Sequence, residues 1–88
     1  MAVDETRAAV TVRYWAAARA AAGVDAETLE VVAPTTAGAV LEAAVAAHPE
    51  LERVARVSTF LLDGRAVGRD VAVADGASLE VLPPFAGG

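Results

Sequence analysis

The sequence predicts an α+β domain: a mixed sheet of about five strands, with one main helix covering one face. Three observations predict it. Several short segments alternate apolar and polar residues, which is typical of strands buried on one face. One longer segment after Pro34 repeats its apolar residues at helical spacing. The pairs Asp63-Gly64 and Asp75-Gly76 are typical of tight turns between strands.

The chain begins with residues 1–8, which are polar and show no periodicity, so we predict a flexible arm there and a folded domain over residues 9–82. In the first predicted strand, the alternation places Val10, Val12 and Tyr14 on the buried face.

Trp15 follows this strand and, by the same alternation, lies on the face away from the core. Residues 16–22 are all Ala except for Arg19, and this composition favours a short helix. Gly23 stands where a left-handed C-terminal cap is expected.

A second strand is predicted over residues 28–33, because its apolar and polar residues alternate until Pro34 ends it. Thr36 is suited to cap the main helix, which Pro49 ends. The apolar stripe of this helix consists of Val40, Leu41, Ala44, Val45 and His48.

Three further strands are predicted over residues 57–62, 65–67 and 78–82, with the two Asp-Gly turns before the second and third of them. The order is therefore two strands, a helix and three strands, which is the layout of the ubiquitin-like β-grasp fold. Residues 83–88 follow the last strand as an extended C-terminal tail.

The composition excludes several functions. The 88 residues suffice for one domain, and its core is expected to be small because 23 residues are Ala. The absence of Cys excludes disulfides, thiolate metal ligands and a cysteine nucleophile. A net charge of −5 does not provide the basic surface that nucleic acids require, so we predict no nucleic-acid partner. Neither a signal peptide nor a membrane span is recognisable, so we predict a cytoplasmic protein.

A catalytic site made of side chains is not expected. His48 is the only imidazole, has no recognisable partner, and is interpreted as interacting with the C-terminus of the main helix. Ser58 and Ser78 lie in predicted strands without the motif of a nucleophile elbow. We therefore predict no metal site and no cofactor bound by the chain itself.

The C-terminal tail is the most informative segment. Pro83 and Pro84 cannot donate hydrogen bonds to a sheet and favour an extended conformation, so the tail is expected to project from the last strand. Gly87 and Gly88 have no Cβ and suit a narrow channel. The α-carboxylate of Gly88 is ionised at neutral pH and is a poor electrophile, so its chemistry must be performed by a partner.

The residues of two segments carry a resemblance. The end of the chain has an acidic-Gly turn, a strand, Pro83-Pro84 and the terminal Gly87-Gly88, and the segment Tyr14 to Arg19 combines two aromatic residues, Ala and Arg before Gly23. This pattern resembles the MoaD/ThiS sulfur carriers, in particular their molybdopterin synthase branch, from about Val10 to the last residue.

The resemblance implies that an E1-like, MoeB-like adenylating enzyme uses ATP and Mg to convert the Gly88 carboxylate to an acyl-adenylate. A sulfur donor then makes the thiocarboxylate. The tail of Phe85, Ala86 and Gly87 is expected to insert into a MoaE-like large subunit of molybdopterin synthase, which transfers the sulfur to a pterin precursor. Catalytic side chains would belong to the partners.

The same resemblance implies a partner interface at Trp15, Arg19 and Leu82. Trp15 and Leu82 are both predicted on the non-core face of neighbouring central strands, where exposed apolar side chains suit an interface. Leu82 is aliphatic where the family has an aromatic residue, so its contact area is expected to be smaller. Alternatively, Trp15 closes the edge of the core, and Arg19 caps a local carbonyl instead of binding partner carboxylates.

Alternative functions remain open at this point. The chain is also consistent with a sulfur carrier for thiamine, cysteine or a secondary metabolite, with a ubiquitin-like protein modifier, and with a simple β-grasp binding module. Because the protein has no Lys, copies of it cannot be linked to one another through lysine side chains. Conjugation of its C-terminus to a lysine of another protein is still permitted.

Overall fold

A computed structural model describes residues 6–84 of the protein, and within them it contains seven strands and three helices. In chain order these are β1 Arg7–Tyr14, α1 Ala16–Ala22, β2 Ala26–Val32, β3 Thr35–Thr36, α2 Ala37–Ala47, α3 Leu51–Arg56, β4 Thr59–Leu62, β5 Arg65–Val67, β6 Ala72–Val73 and β7 Ser78–Leu82. No helix in this part of the chain is long and apolar enough to cross a membrane.

Five strands form the main sheet, in the order β2-β1-β7-β4-β5. The first and last strands of the domain, β1 and β7, are parallel neighbours at its centre, with Val12 beside Leu79 and Tyr14 beside Val81. The other pairings in this sheet are antiparallel, so the sheet is mixed as predicted. The arrangement confirms the α+β, β-grasp prediction.

One face of the sheet packs against the helices and forms the core. We call it the inner face. Its strand residues alternate with exposed or half-buried ones, as the period of two requires. The fully buried core residues with the largest side chains, from the strands and the helices together, are Tyr14, Leu41, Leu51, Leu79, Val10, Val12, Val40 and Val81.

The two helix caps that the sequence predicts are present. Gly23 ends α1 with φ 81°, and its N–H donates to the Arg19 carbonyl at 2.8 Å. Thr36 is the N-cap of α2, and its hydroxyl accepts from the N–H of Ala39 at 3.2 Å. These local interactions satisfy backbone groups that a helix leaves unpaired at its ends.

Some boundaries differ from the predicted ones. The first strand starts at Arg7, two residues before the predicted start of the domain, and Ala8 is buried where a flexible arm was expected. The strand continues because Ala8 pairs with Val31 of β2, a partner distant in sequence. Strand β2 itself begins at Ala26 because Arg13 of β1 pairs there. Strands β5 and β7 have the predicted bounds.

Three short elements were not predicted. Pro49 does follow the end of α2, but Leu51–Arg56 then forms α3, so that β4 begins only at Thr59. Strands β3 and β6 are two residues each and pair with one another in a separate small sheet. Pairing between such short, distant segments leaves no periodic signal in the sequence.

Candidate functional site

The candidate site is the end of the sheet from which the C-terminal tail continues. Strand β7 lies between β1 and β4 and ends at Leu82. Pro83 is buried and Pro84 is exposed. The predicted tail residues Phe85, Ala86, Gly87 and Gly88 lie outside the described residues, so their predicted roles remain predictions.

The beginning of β7 is held by the two Asp-Gly turns. Asp63 accepts from the Ser78 N–H through its side chain at 3.0 Å, and its own N–H donates to the Ser78 carbonyl at 2.8 Å. Asp75 accepts from the Ala9 N–H at 2.7 Å, while the Gly76 N–H donates to the Ala9 carbonyl at 2.8 Å. The strand that carries the tail is therefore fixed to both of its neighbours.

Trp15 lies on the face of the sheet opposite the helices, which we call the outer face. It follows β1 directly, and its N–H donates to the Val81 carbonyl at 3.3 Å, so it stands beside Leu82 at the end of β7. Trp15 remains 41% exposed, which argues against the alternative that it closes the edge of the core. Its Nε1 donates to Oε1 of Glu80 at 2.9 Å.

The structure brings two of the three predicted interface residues together. Trp15 and the half-buried Leu82 are neighbours on the outer face, as predicted. Leu61 of β4 shares this face, because its Cα partner is Glu80. We call Trp15, Leu61 and Leu82 the outer patch. Leu61 was missed in the sequence; in the structure, the burial of Phe60 next to it and the alternation of the strand place it on the outer face.

Arg19 is separate from the outer patch. It lies in α1, and its Nη1 is 3.6 Å from Oδ1 of Asp25, in a pair whose side chains are 57% and 76% exposed. The described structure therefore shows a local acidic partner for Arg19, whereas the alternative to a partner interface had been a local carbonyl. Because such an exposed pair binds weakly, Arg19 remains accessible to carboxylates of another protein.

A cluster of three polar side chains, Tyr14, Glu27 and His48, lies at the rim of the inner face, and we call it the inner cluster. Its contacts correct the interpretation of His48. Oε2 of Glu27 lies 2.7 Å from Nε2 of His48 and accepts from the Tyr14 hydroxyl at 2.6 Å. The rings of Tyr14 and His48 meet edge to face, with centroids 6.0 Å apart. His48 is the C-cap of α2, as expected near the helix end, but its imidazole has a carboxylate partner that is 21 residues away in sequence.

This cluster has a structural role. Burial raises the pKa of the Tyr14 hydroxyl well above its usual range, and the hydrogen bond to Glu27 and the charge of that carboxylate raise it further. A hydroxyl in this state stays protonated and donates, so it is unsuited to act as a base or nucleophile. The cluster ties β1, β2 and the end of α2 together, on the side of the sheet away from the outer patch.

The remaining polar groups offer no catalytic arrangement within residues 6–84. No group of three His, Cys, Asp or Glu side chains there is placed to hold a metal ion. The Ser58 hydroxyl donates to the Val54 carbonyl at 2.7 Å and thus serves the end of α3. A surface cavity of about 650 Å³ between α1 and α3 is lined by Ala21, Pro49, Glu50, Glu52, Arg53 and Arg56, none of them a predicted site residue.

Sequence comparison relates this chain to known proteins over most of its length. The model of the ThiS family matches residues 12–88. A curated relative, the molybdopterin synthase sulfur carrier subunit of Chlamydomonas reinhardtii, is 32% identical over 81 residues, which are 90% of this chain and 98% of the relative.

Several solved structures of archaeal proteins are similar to this chain. Small archaeal modifier protein 1 of Haloferax volcanii has a TM-score of 0.82 and 31% identity, over 91% of this chain and 99% of that chain. A Pyrococcus furiosus protein named as a candidate molybdopterin converting factor, subunit 1, has a TM-score of 0.80 and 26% identity, over 89% of this chain and 99% of that chain.

Proposed function

Because this chain belongs to the ThiS family of ubiquitin-like sulfur carriers, we propose that it carries sulfur on Gly88 for molybdopterin biosynthesis, as the small subunit of a molybdopterin synthase. The observation that supports this most strongly is the family match, which continues through the tail to residue 88. The relative from the green alga, a molybdopterin synthase subunit by name, favours this pathway over other acceptors of sulfur.

The proposed chemistry begins at the Gly88 carboxylate. A carboxylate oxygen attacks the α-phosphorus of ATP bound with Mg to an E1-like adenylating enzyme, and pyrophosphate leaves. Hydrosulfide supplied by the sulfur donor then attacks the acyl carbon, and AMP leaves with one of the two carboxylate oxygens, so that this oxygen is replaced by sulfur. The chain has no Cys, so it has no side-chain thiol to compete for this sulfur.

The chain's own contribution is to present the tail. Hydrogen bonds at both Asp-Gly turns fix the start of β7, and Pro83 and Pro84 end the strand at the sheet centre. The outer patch lies beside this exit, where the adenylating enzyme and the large synthase subunit would bind in turn. The thiocarboxylate then enters the active site of the large subunit, whose side chains perform the transfer to the pterin.

Intact-mass measurement tests the carrier function. We expect the chain, incubated with a family-matched adenylating enzyme, ATP, Mg and a sulfide source, to gain the mass difference between sulfur and oxygen. Deletion of Gly88 should abolish this gain, while Arg56→Ala, on the helical side, should leave it unchanged. An unchanged mass of the full chain, with an enzyme that converts its own cognate carrier in parallel, would contradict the proposal.

A second candidate function is conjugation to other proteins. The similarity to small archaeal modifier protein 1 favours it, since that protein is a modifier by name and 31% identical to this chain. Both functions begin with the same adenylation. They differ in the acceptor, so mass spectrometry that finds Gly88 in an isopeptide bond to a lysine of a second protein would support the modifier, and a free thiocarboxylate transferred by a large synthase subunit would support the carrier.

A further inference from the structure

The hydrogen bond between Trp15 and Glu80 assigns a role to a residue that the sequence did not single out. We propose that Glu80 is a positioning residue. It holds the Trp15 indole against the outer face, beside the end of β7, and so fixes the orientation of this ring in the outer patch before a partner protein binds. The partner is the adenylating enzyme of the proposed function, on which this inference rests. The orientation of the ring is a property of the isolated chain and can be tested without a partner.

The backbone of Trp15 is fixed independently of its side chain. Its N–H donates to Val81, and its carbonyl accepts from the N–H groups of Ala18 and Arg19, at 2.9 and 3.3 Å. It is also the N-cap residue of α1, with φ −119° and ψ 147°. Rotation about the side-chain bonds is therefore the freedom that remains, and an indole that is 41% exposed has room for it.

Glu80 restricts that rotation. Trp15 stands beside Leu82, whereas its Nε1 donates to the carboxylate of Glu80, two residues earlier on the outer face of β7. Two residues of a strand span about 7 Å, which is comparable to the length of an indole side chain. The ring must therefore lie back along β7 to make this bond. Within residues 6–84, Glu80 is the one side chain to which the indole N–H donates.

A ring whose orientation is already fixed gives tighter binding to a partner than a rotating ring, because less side-chain entropy is lost when the complex forms. The alternative role for Glu80 is electrostatic, since its Cα partner on β1 is Arg13, an exposed residue of opposite charge. The two roles differ in what they require. Positioning requires an acceptor atom at residue 80, whereas pairing with Arg13 requires a negative charge.

Tryptophan spectroscopy tests the orientation, because Trp15 is the only tryptophan of the chain. We expect Glu80→Ala and Glu80→Met to increase the amplitude of fast local depolarisation of its fluorescence and to shift the NMR resonance of the indole N–H. Glu80→Gln keeps an acceptor oxygen and should restore both signals towards those of the unaltered chain. Glu30→Ala, the same charge change on the outer face of β2, is the matched control and should leave them unchanged.

Affinity for the adenylating enzyme then tests what the orientation does. We expect Glu80→Ala and Glu80→Met to weaken this association about threefold to tenfold, and Glu80→Gln to weaken it less. In the background of Trp15→Phe, which has no N–H to donate, the Glu80 substitutions should have no further effect. Far-UV circular dichroism identifies variants that fail to fold, and Glu80→Met provides a second test if Glu80→Ala is one of them.

Three outcomes would each overturn the inference. The first is an indole whose depolarisation and resonance are the same in folded Glu80→Ala and in the unaltered chain. The second is a released indole with unchanged affinity for the enzyme. The third is a Glu80→Gln variant as impaired as Glu80→Ala. Failure of the proposed function is a separate result, because it appears as an absent mass change in the unaltered chain and leaves the spectroscopic comparison intact.

Discussion

The two faces of the main sheet use the same strands for different purposes. On the inner face, Tyr14 and Leu79 are almost completely buried beneath the helices. On the outer face, the next residues, Trp15 and Glu80, are exposed or half-buried and bond to each other. Because successive residues of a strand point to opposite faces, a substitution on β1 or β7 affects one face directly and leaves the other largely unchanged.

The two faces also differ in how their polar groups are paired. At the rim of the inner face, the inner cluster joins β1, β2 and the end of α2 through one carboxylate oxygen of Glu27. The outer bond between Trp15 and Glu80 joins two strands that already pair through their backbones. We expect the inner cluster to contribute mainly to stability and the outer bond mainly to the orientation of a side chain.

The largest expected effect comes from truncating the inner face of β7. Leu79 is fully buried, so Leu79→Ala should lower the free energy of unfolding by about 3 kcal/mol through lost burial and the remaining cavity. Leu82→Ala, three residues away on the outer face, should lower it by about 1 kcal/mol or less because Leu82 is only half-buried. Urea denaturation measures both values. Equal losses would show that the outer face also belongs to the core.

A smaller effect is expected from the inner cluster at alkaline pH. The pKa of Tyr14 is raised in the folded chain, whereas in the unfolded chain it is about 10. Above pH 10 the unfolded state therefore releases a proton that the folded state keeps, so the free energy of unfolding falls as pH rises, by at most about 1.4 kcal/mol per pH unit. Below pH 10 this stabilisation is fully present.

The composition makes this measurement unusually specific. The chain has one Tyr, no Lys and no Cys, so Tyr14 is the side chain expected to titrate near pH 10 in the unfolded state. Tyr14→Phe should lower the free energy of unfolding by about 1 to 2 kcal/mol at pH 8 and abolish the alkaline slope. Denaturation at several pH values, with tyrosinate absorbance, tests this. If the free energy of unfolding of Tyr14→Phe still falls with pH in the alkaline range, a group other than Tyr14 causes the effect.

A contrast between local and distant interactions explains which features were predictable from the sequence. The buried positions of β1, the bounds of β5 and β7 and the caps at Gly23 and Thr36 depend on neighbouring residues, so periodicity and residue type were sufficient. The outward position of Trp15 followed from the same alternation. Such signals are local, so they can be recognised in a single sequence.

The features that were missed depend on distant residues. Glu27 pairs with His48 only because β2 and the end of α2 meet in the fold, and Glu80 reaches Trp15 across 65 positions of sequence. Helix α3 is six residues long and begins two residues after Pro49, where the main helix is predicted to end, so no second helix was predicted there. Side-chain pairing between strands requires the register, which the sequence does not supply.

The smallest expected effect on stability is that of Arg19→Ala. The effect of the same substitution on binding tests whether docking extends beyond the outer patch. The pair with Asp25 is exposed and its atoms are 3.6 Å apart, so Arg19→Ala should change the free energy of unfolding by no more than about 0.5 kcal/mol. Arg56→Ala removes an equally exposed pair, with Glu52, from α3, and is the matched control.

The two arginine variants should differ in their binding to a partner. If Arg19 meets carboxylates of the adenylating enzyme or the large synthase subunit, Arg19→Ala should slow association, and this effect should diminish at high salt. Arg56→Ala, on the helical side, should associate at the normal rate. Surface plasmon resonance at two salt concentrations measures both rates. Identical rates for the two variants would confine docking to the outer patch, whereas a salt-dependent difference would extend the binding surface from β7 across to α1.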